Sequence, residues 1–458
     1  MAPMYISQRS VRQDAELFKM HYYSTNNKAL KFGLKEALLK GLAPDNGLFM
    51  PSVIPVLSRE EQEGLRGLDL TQIAFKLTEK LFGEDIPQGD LKTIVEGAIN
   101  FDTPVVRVEK DIYALELFHG PTLAFKDVGA RFLARTLGHF TQDQEGLIHV
   151  LVATSGDTGS AVANGFLGVP GIKVHVLYPS GLVSPLQEKQ FTTLGENITA
   201  IEVNGTFDDC QMLVKKAFMD MDLKDHMTLT SANSINLARF LPQAFYYFRA
   251  WAQMEPDTKL LFSIPSGNYG NMTAALVARE MGLPVDIFLS ANNSNDVVPG
   301  YLETGEFNPR PSIPTIANAM DVGNPSNFAR ILDLFDHNHQ LIASHLKGFS
   351  YLDQAIRSII GKVFKKTGYL CDPHGATGYQ AARTFIDNNP EYTGIFLETA
   401  HPAKFRESVE DVIGIPVEIP ERLAAFADRE KLSQLINPTF DDFKDYLKDQ
   451  RKQEFYDL

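Results

Sequence analysis

Cysteine and tryptophan are nearly missing from this chain, which has two cysteines, Cys210 and Cys371, and one tryptophan in 458 residues. Two thiols cannot build a disulfide framework, so a hydrophobic core must hold the fold, and a reduced compartment, the cytoplasm, is the simple reading. Positive charge is also short. Forty-three Lys and Arg face 57 Asp and Glu, for a formal charge of −14, which argues against general nucleic-acid binding and against docking on anionic membranes. An anionic small substrate would then need a local positive pocket. No apolar run approaches a membrane span. Met1 to Leu17 carries Arg9, Arg12, Asp14 and Glu16 without a hydrophobic block, so no secretory signal is expected. The strict G-x-G-x-x-G, H-E-x-x-H and G-x-S-x-G patterns are absent, which weighs against a nicotinamide dinucleotide, a catalytic metal and acyl transfer. His119, His374 and His401 sit in loops and read as structural histidines.

What is present is an ordinary globular composition, 44% hydrophobic and 22% charged, at a length whose prior is roughly three domains. Residues 20 to 95 read as mostly helical, with helical spacing in Phe32–Gly41 and Leu70–Phe82 and a turn at Pro44-Asp-Asn-Gly47. From about residue 110 short apolar runs alternate with loops and helices. Ile148–Ala153, Val174–Tyr178, Ile198–Val203, Met227–Thr230, Leu260–Ile264, Val285–Leu289 and Gly394–Glu398 are strand candidates. Helix-forming stretches between them predict right-handed βαβ units and a largely parallel sheet. Ligands in such sheets sit beyond the carboxyl ends of strands. The loops 154–159, 265–271, 371–378 and 399–402 are each expected to follow a strand and to converge on one cleft.

Two stretches carry the chemistry. His119-Gly-Pro-Thr-Leu-Ala-Phe-Lys126-Asp127 places an amine between an aromatic and a helix-like run, and a partly buried amine loses its proton readily and becomes a nucleophile. Pro265-Ser-Gly-Asn-Tyr-Gly-Asn271 reads as strand, glycine-bearing loop and helix start. Gly267 and Gly270 are expected to supply positive φ and close approach, and free amides at the helix start favour an anion. Together they suggest an aldehyde cofactor with a phosphate tail. Each stretch has a plainer reading. The amine is one of 43 basic residues, the glycine loop could cradle a nucleotide phosphate, and Ser155-Gly-Asp-Thr-Gly159 alone is a common turn with a helix cap.

Six ordered motifs resemble the threonine synthase family in its long bacterial and fungal type. They are His119–Asp127, Ser155–Gly159, Ser231-Ala-Asn-Ser-Ile-Asn236 with Arg239, Pro265–Asn271, Cys371-Asp-Pro-His-Gly-Ala-Thr377 and Thr399-Ala-His-Pro-Ala-Lys-Phe405. The resemblance covers nearly the whole chain. Two departures lie near the start, where Asn26-Asn27-Lys28 stands in place of an arginine after Ser-Thr, and Asn46-Gly47 in place of a glycine pair.

The resemblance implies an α/β, fold-type II pyridoxal phosphate enzyme, similar to tryptophan synthase β, with parallel-sheet-rich lobes. It implies an N-terminal mainly helical segment at 1–100, a smaller lobe at 101–225 holding Lys126, and a larger lobe at 226–458 holding the phosphate loop. The implied reaction converts O-phospho-L-homoserine and water to L-threonine and phosphate. Lys126 would carry the cofactor aldehyde and serve as the acid/base. Gly267, Asn268, Tyr269, Gly270 and Asn271 would hold the cofactor phosphate, Asp157 would lie near its ring hydroxyl, and Thr399 would face its pyridine nitrogen. Ser155 and Thr158 would meet the substrate carboxylate, and Asn233, Ser234, Asn236 and Arg239 its phosphate, Arg239 through paired N–H groups. Monomer and homodimer remain open. The competing readings are another fold-type II lyase acting on a phosphorylated or O-substituted hydroxyamino acid, a non-catalytic binding descendant, and an NAD-dependent oxidoreductase.

Overall fold

The computed structural model describes residues 20–142 and 146–457. The stretch Met1–Leu17, read above for a signal, lies outside the described residues. Within the leading segment the chain forms helices Leu34–Lys40, Arg59–Glu63, Leu70–Phe82 and Gln88–Ala98. Helix Leu70–Phe82 spans the residues expected. Asp69 caps its start in a reciprocal pair with Gln72, and Leu70, Ile73, Ala74, Leu77 and Leu81 bury one stripe. The same segment also holds a three-stranded antiparallel sheet, Tyr22–Ser24 paired with Asn27–Phe32 on one side and Phe49–Pro51 on the other. Periodicity missed it because Asn27–Phe32 is largely exposed and carries no apolar alternation. The helix expected from Phe32 consequently begins at Leu34, and it stops at Gly41 with φ 64°.

Two larger sheets form the body. Five strands, all parallel, run in the order Ser433–Ile436, Ile198–Val203, Ile172–Pro179, Ile148–Ala153, Thr228–Ser231. Six run in the order Leu346–Ser350, Ile287–Asn292, Leu260–Pro265, Thr393–Glu398, Ile112–Glu116, Val105–Glu109, parallel except for the last pair. Successive strand residues point to opposite, equally buried faces. Ile148, Val150 and Val152 join one core and Leu151 and Ala153 another; Phe262 and Ile264 divide from Leu261 in the same way. Burial on both faces is why these strands read as continuous apolar runs.

The sheets interleave along the chain. The smaller sheet takes strands from both sides of residue 225, including one at 433–436, and the larger takes two from before it. Val105–Glu109, Ile112–Glu116, Leu346–Ser350 and Ser433–Ile436 were not among the strand candidates. The C-terminal strand has three exposed residues of four, so it has no apolar alternation to show. One loop also differs from expectation. Residues 371–378 follow helix Asp353–Thr367 rather than a strand, and they open helix Pro373–Asn388, whose cap is Asp372.

Candidate active site

The carboxyl ends of five strands meet at one cleft. They are Ile112–Glu116, Ile148–Ala153, Thr228–Ser231, Leu260–Pro265 and Thr393–Glu398. The turn after the first of these delivers Lys126. Leu123 takes φ 60°, the Leu123 carbonyl accepts from the His401 amide at 3.0 Å, and the Phe125 amide donates to the Thr399 carbonyl at 2.8 Å. These bonds clamp the turn to the loop after Thr393–Glu398. Lys126 therefore starts helix Lys126–Thr141 and lines the cleft. Its amine has no hydrogen bond or ion pair among the described residues. Burial lowers it to about 8, with Asp157 working against that shift and Arg239 and Lys404 adding to it.

Opposite stands the loop 265–271. Positive φ was expected at its glycines, but Tyr269 takes it, at 61°. The tyrosine is held there because its buried hydroxyl bonds Ser290 Oγ at 2.6 Å and Asn292 Oδ1 at 2.9 Å. The glycines serve close approach instead. A Cβ on Gly267 would meet the Ala319 carbonyl oxygen at 2.6 Å, and one on Gly270 the Ser234 Cβ at 3.0 Å. The asparagines stitch the loop: Asn268 Nδ2 donates to Ser234 Oγ at 2.8 Å, and Asn271 Nδ2 donates to the Pro265 carbonyl at 2.8 Å. What remains unspent is backbone. The amides of residues 267 to 271 donate to no acceptor among the described residues, at the start of helix Gly270–Glu280. Such a cradle takes a phosphate.

Thr399 lines the cleft with no hydrogen-bond partner for its hydroxyl among the described residues, while its carbonyl holds the Lys126 turn. Free amides, a free amine and a free hydroxyl on three walls fit an aldehyde cofactor with an anionic tail.

The substrate-side residues divide. Ser155, Thr158, Asn233, Ser234 and Arg239 line the cleft. Arg239 is 3% exposed and is not a solvated helix residue. Its Nε donates to the Ala232 carbonyl and one terminal nitrogen to the Lys126 carbonyl, both at 2.9 Å, which leaves the other terminal nitrogen without a partner among the described residues. Burial lowers this guanidinium to about 10, still charged at neutral pH. Two expected ligands spend side-chain groups on backbone. Asn233 spends its side chain on the Ala153 backbone, donating to its carbonyl at 2.9 Å. Asn236 is fully buried outside the cleft, donating to the Leu38 and Ser231 carbonyls at 3.0 and 3.1 Å and capping helix Leu237–Phe240. A short polar side chain in such a stretch is as useful to the backbone as to a ligand.

Asp157, expected near the cofactor's ring hydroxyl, is not among the residues lining the cleft. It is 3% exposed, with Lys404 Nζ at 2.6 Å from Oδ1 and Gln187 Nε2 at 2.7 Å from the same oxygen. Burial pushes this carboxyl up, but Lys404 and Lys126 outweigh that and hold it at about 2.

Several residues were missed by sequence reasoning. Asn318, Ala319, Met320, Asp321 and Val322 form one wall, with His374 beside them. His374 Nε2 accepts from the Ala319 amide at 3.1 Å, so Nδ1 carries the proton donated to Asp372 at 2.6 Å. Burial pushes Asp321 up to about 7 against its hydrogen bonds from Thr315. Asn327 Nδ2 reaches Ser234 Oγ and the Asn268 carbonyl, both at 3.0 Å. A signal existed, since 305–327 holds no regular element beyond a turn at Asn318–Met320, and long irregular stretches inside compact proteins tend to be functional.

Residues 99–391 match the family of pyridoxal-phosphate dependent enzymes, 21–99 match the threonine synthase N terminus, and 375–447 match the threonine synthase C-terminal family. A threonine synthase of Haemophilus influenzae is 43% identical over 430 residues, covering 93% of this chain and 99% of that protein. The crystal structure of the Escherichia coli threonine synthase superposes with TM-score 0.89 at 42% identity, over 94% of this chain and all of that one. A structure of PLP-bound threonine synthase from Brucella melitensis superposes with TM-score 0.86 at 33% identity, over 94% of this chain and 99% of that one. The amine, the phosphate cradle and these relatives agree, and the chain belongs to the threonine synthase family, pyridoxal-phosphate-dependent lyases of fold type II.

Proposed function

We propose a division of labour among this chain's residues for the family's reaction, which turns O-phospho-L-homoserine and water into L-threonine and phosphate. The observation that supports it most is the meeting of Lys126 Nζ, the unspent amides of 267–271 and the Thr399 hydroxyl at one cleft. Pyridoxal phosphate, when bound, supplies an electron sink conjugated to the substrate's α carbon. The amides of Gly267, Asn268, Tyr269, Gly270 and Asn271 hold its phosphate, with the helix dipole behind them. Thr399 would face its ring nitrogen. A hydroxyl there, unlike a carboxylate, does not stabilise a proton on that nitrogen.

Lys126 binds the cofactor and moves the protons. With its amine held near 8, a useful fraction is unprotonated at neutral pH, so it would take protons from the substrate's Cα and Cβ and return one to Cγ as phosphate departs and one to Cα after the hydroxyl of water has added at Cβ, the remaining proton of water going to the released phosphate. Arg239 offers its unpaired terminal nitrogen to the substrate phosphate, with Ser234 Oγ beside it. Ser155 and Thr158, at the start of helix Asp157–Phe166, hold the carboxylate. Asn233 and Asn236 hold the backbone that presents them. Phe207 and Gln211, from helix Phe207–Met219, also line the cleft and would exclude water until phosphate has left.

We take the moving units to be the two interleaved sheets. We take the assembly to be a monomer or a homodimer. Two buried free thiols support the cytoplasm. The test is Lys126→Ala, whose purified protein is expected to lose bound-cofactor absorption and threonine formation together. Borohydride reduction of the unaltered protein should label the peptide holding Phe125-Lys126-Asp127. Colour and turnover that both survive the substitution, or a label elsewhere, would move the site.

A further inference from the structure

Behind Lys126 lies a pair of charges that the reaction does not touch. Lys404 has a side chain with 0% exposure, in the turn Pro402–Phe405. Its Nζ sits 2.6 Å from Asp157 Oδ1 and donates to the Thr122 carbonyl at 2.8 Å. Neither Lys404 nor Asp157 lines the cleft. A dry ion pair is expensive to bury and returns little net stability over an apolar pair of the same size, so its presence beside the reactive amine calls for another reason.

The surroundings supply one. Three elements packed against Lys126 bring charge to it: Asp157 from helix Asp157–Phe166, Arg239 from helix Leu237–Phe240 and Lys404 from its turn. On its own helix, Asp127 is turned away and takes the Thr122 amide at 2.8 Å and hydroxyl at 2.6 Å. Asp157 alone would hold the Lys126 ammonium protonated. Arg239 and Lys404 without Asp157 would strip the proton and oppose any positive charge on the amine as it reacts. Lys404 also grips Thr122, within the turn that aims Lys126, so one ammonium ties the charge balance to the geometry.

We propose that the buried Asp157–Lys404 pair is a positioning device for Lys126: it sets opposite charges beside the amine and fixes the turn that presents it, keeping the amine a competent nucleophile and base at neutral pH. The inference rests on Lys126 as the cofactor-bearing amine, and deepens that assignment by naming what maintains it. Both residues act through Lys126 and touch no reacting atom.

The test is acetylation of Lys126 in cofactor-free full-length protein by trace acetic anhydride, followed by peptide mass spectrometry across pH, with circular dichroism as the control for folding. Lys404→Met leaves Asp157 uncompensated, and the labelling midpoint is expected to rise by about one unit. Asp157→Asn removes the anion, and the midpoint is expected to fall by a similar amount. The double variant should return toward the unaltered protein, and Lys404→Arg, which keeps the charge, should stay near it. Should Lys404→Met fail to fold, the near-isosteric Asp157→Asn and the charge-conserving Lys404→Arg decide the matter. Single variants that shift in the same direction, or not at all, overturn the proposal. Because no cofactor is present, this outcome is independent of the borohydride result, which alone tests the role of Lys126.

Discussion

Arg330 offers a sharp test of how the leading segment supports the cleft. It is completely buried, and no carboxylate pairs with it among the described residues. Four bonds hold it instead. Nε donates to the Phe49 carbonyl at 3.1 Å, one terminal nitrogen to the Ser234 carbonyl at 3.1 Å and Asn327 Oδ1 at 2.5 Å, and the other to the Ile235 carbonyl at 2.6 Å. The guanidinium also lies 4.0 Å from the centre of the Phe240 ring. One planar group thus joins the N-terminal sheet, the 234–235 loop and the Asn327 amide that holds Ser234 and Asn268. Arg330→Lys keeps a charge but replaces the fork with one point. A lysine reaching the Ser234 side cannot also reach Phe49, so about two of the four bonds are lost. At about 1.5 kcal/mol for each charge-assisted bond, with about 1 kcal/mol from the ring contact, the loss is about 3–5 kcal/mol. Urea unfolding followed by circular dichroism measures it. Because Ser234 and Asn327 loosen with the loss, KM for O-phospho-L-homoserine should rise at least about fivefold, equivalent to roughly 1 kcal/mol. A variant within about 1 kcal/mol of the unaltered protein, with unchanged KM, would refute the linkage.

Gly267→Ala drives a Cβ against the Ala319 carbonyl oxygen and the Met320 Cα at 2.9 Å. An overpacking cost of about 1–3 kcal/mol should weaken pyridoxal phosphate binding by about 5- to 150-fold in a fluorescence titration, and unchanged affinity would contradict the close approach. Asn236→Ala should cost about 1–3 kcal/mol of stability from a lost cap and the lost bond to the Ser231 carbonyl, the Leu38 carbonyl keeping the Thr230 hydroxyl, with KM moving less than about twofold. A large KM change at full stability would restore it as a substrate ligand. His149 and His175 form a buried chain, Nδ1 to Nε2 at 3.0 Å, ending on the Tyr446 hydroxyl at 2.7 Å. Burial lowers His149 to about 4 and His175 well below its ordinary value. The unfolded chain binds more protons here, so this stability is present above about pH 6.5 and drains as pH falls toward 4, by up to about 1.4 kcal/mol per unit for each histidine. Replacing both by leucine should flatten the urea-derived stability between pH 6.5 and 5, and equal pH slopes in both proteins would exclude the chain as the cause.

Sequence alone was enough for whatever depends on neighbours along the chain. The strands Ile148–Ala153 and Ile198–Val203 and the helix Leu70–Phe82 have the bounds their patterns predict, because burial of two faces or one stripe is written in local periodicity. Lys126 and the 265–271 loop were legible for the same reason, each being a short run whose residue types serve one chemical purpose. Polar strands were not legible. Asn27–Phe32 and Ser433–Ile436 become strands only because a sheet edge is there to receive them.

Tertiary structure also decided between roles that one residue type can fill. Asn233 and Asn236 carry amides equally suited to a phosphate or to a backbone carbonyl, and only the fold brings Ala153 and Leu38 within reach. Lys404 was part of a motif without a role until its Nζ met Thr122, 282 residues away, and Asp157 beside it. Charges so distant in sequence leave no local pattern. Their interaction depends on a separation and a dryness that exist only after the chain has closed around them.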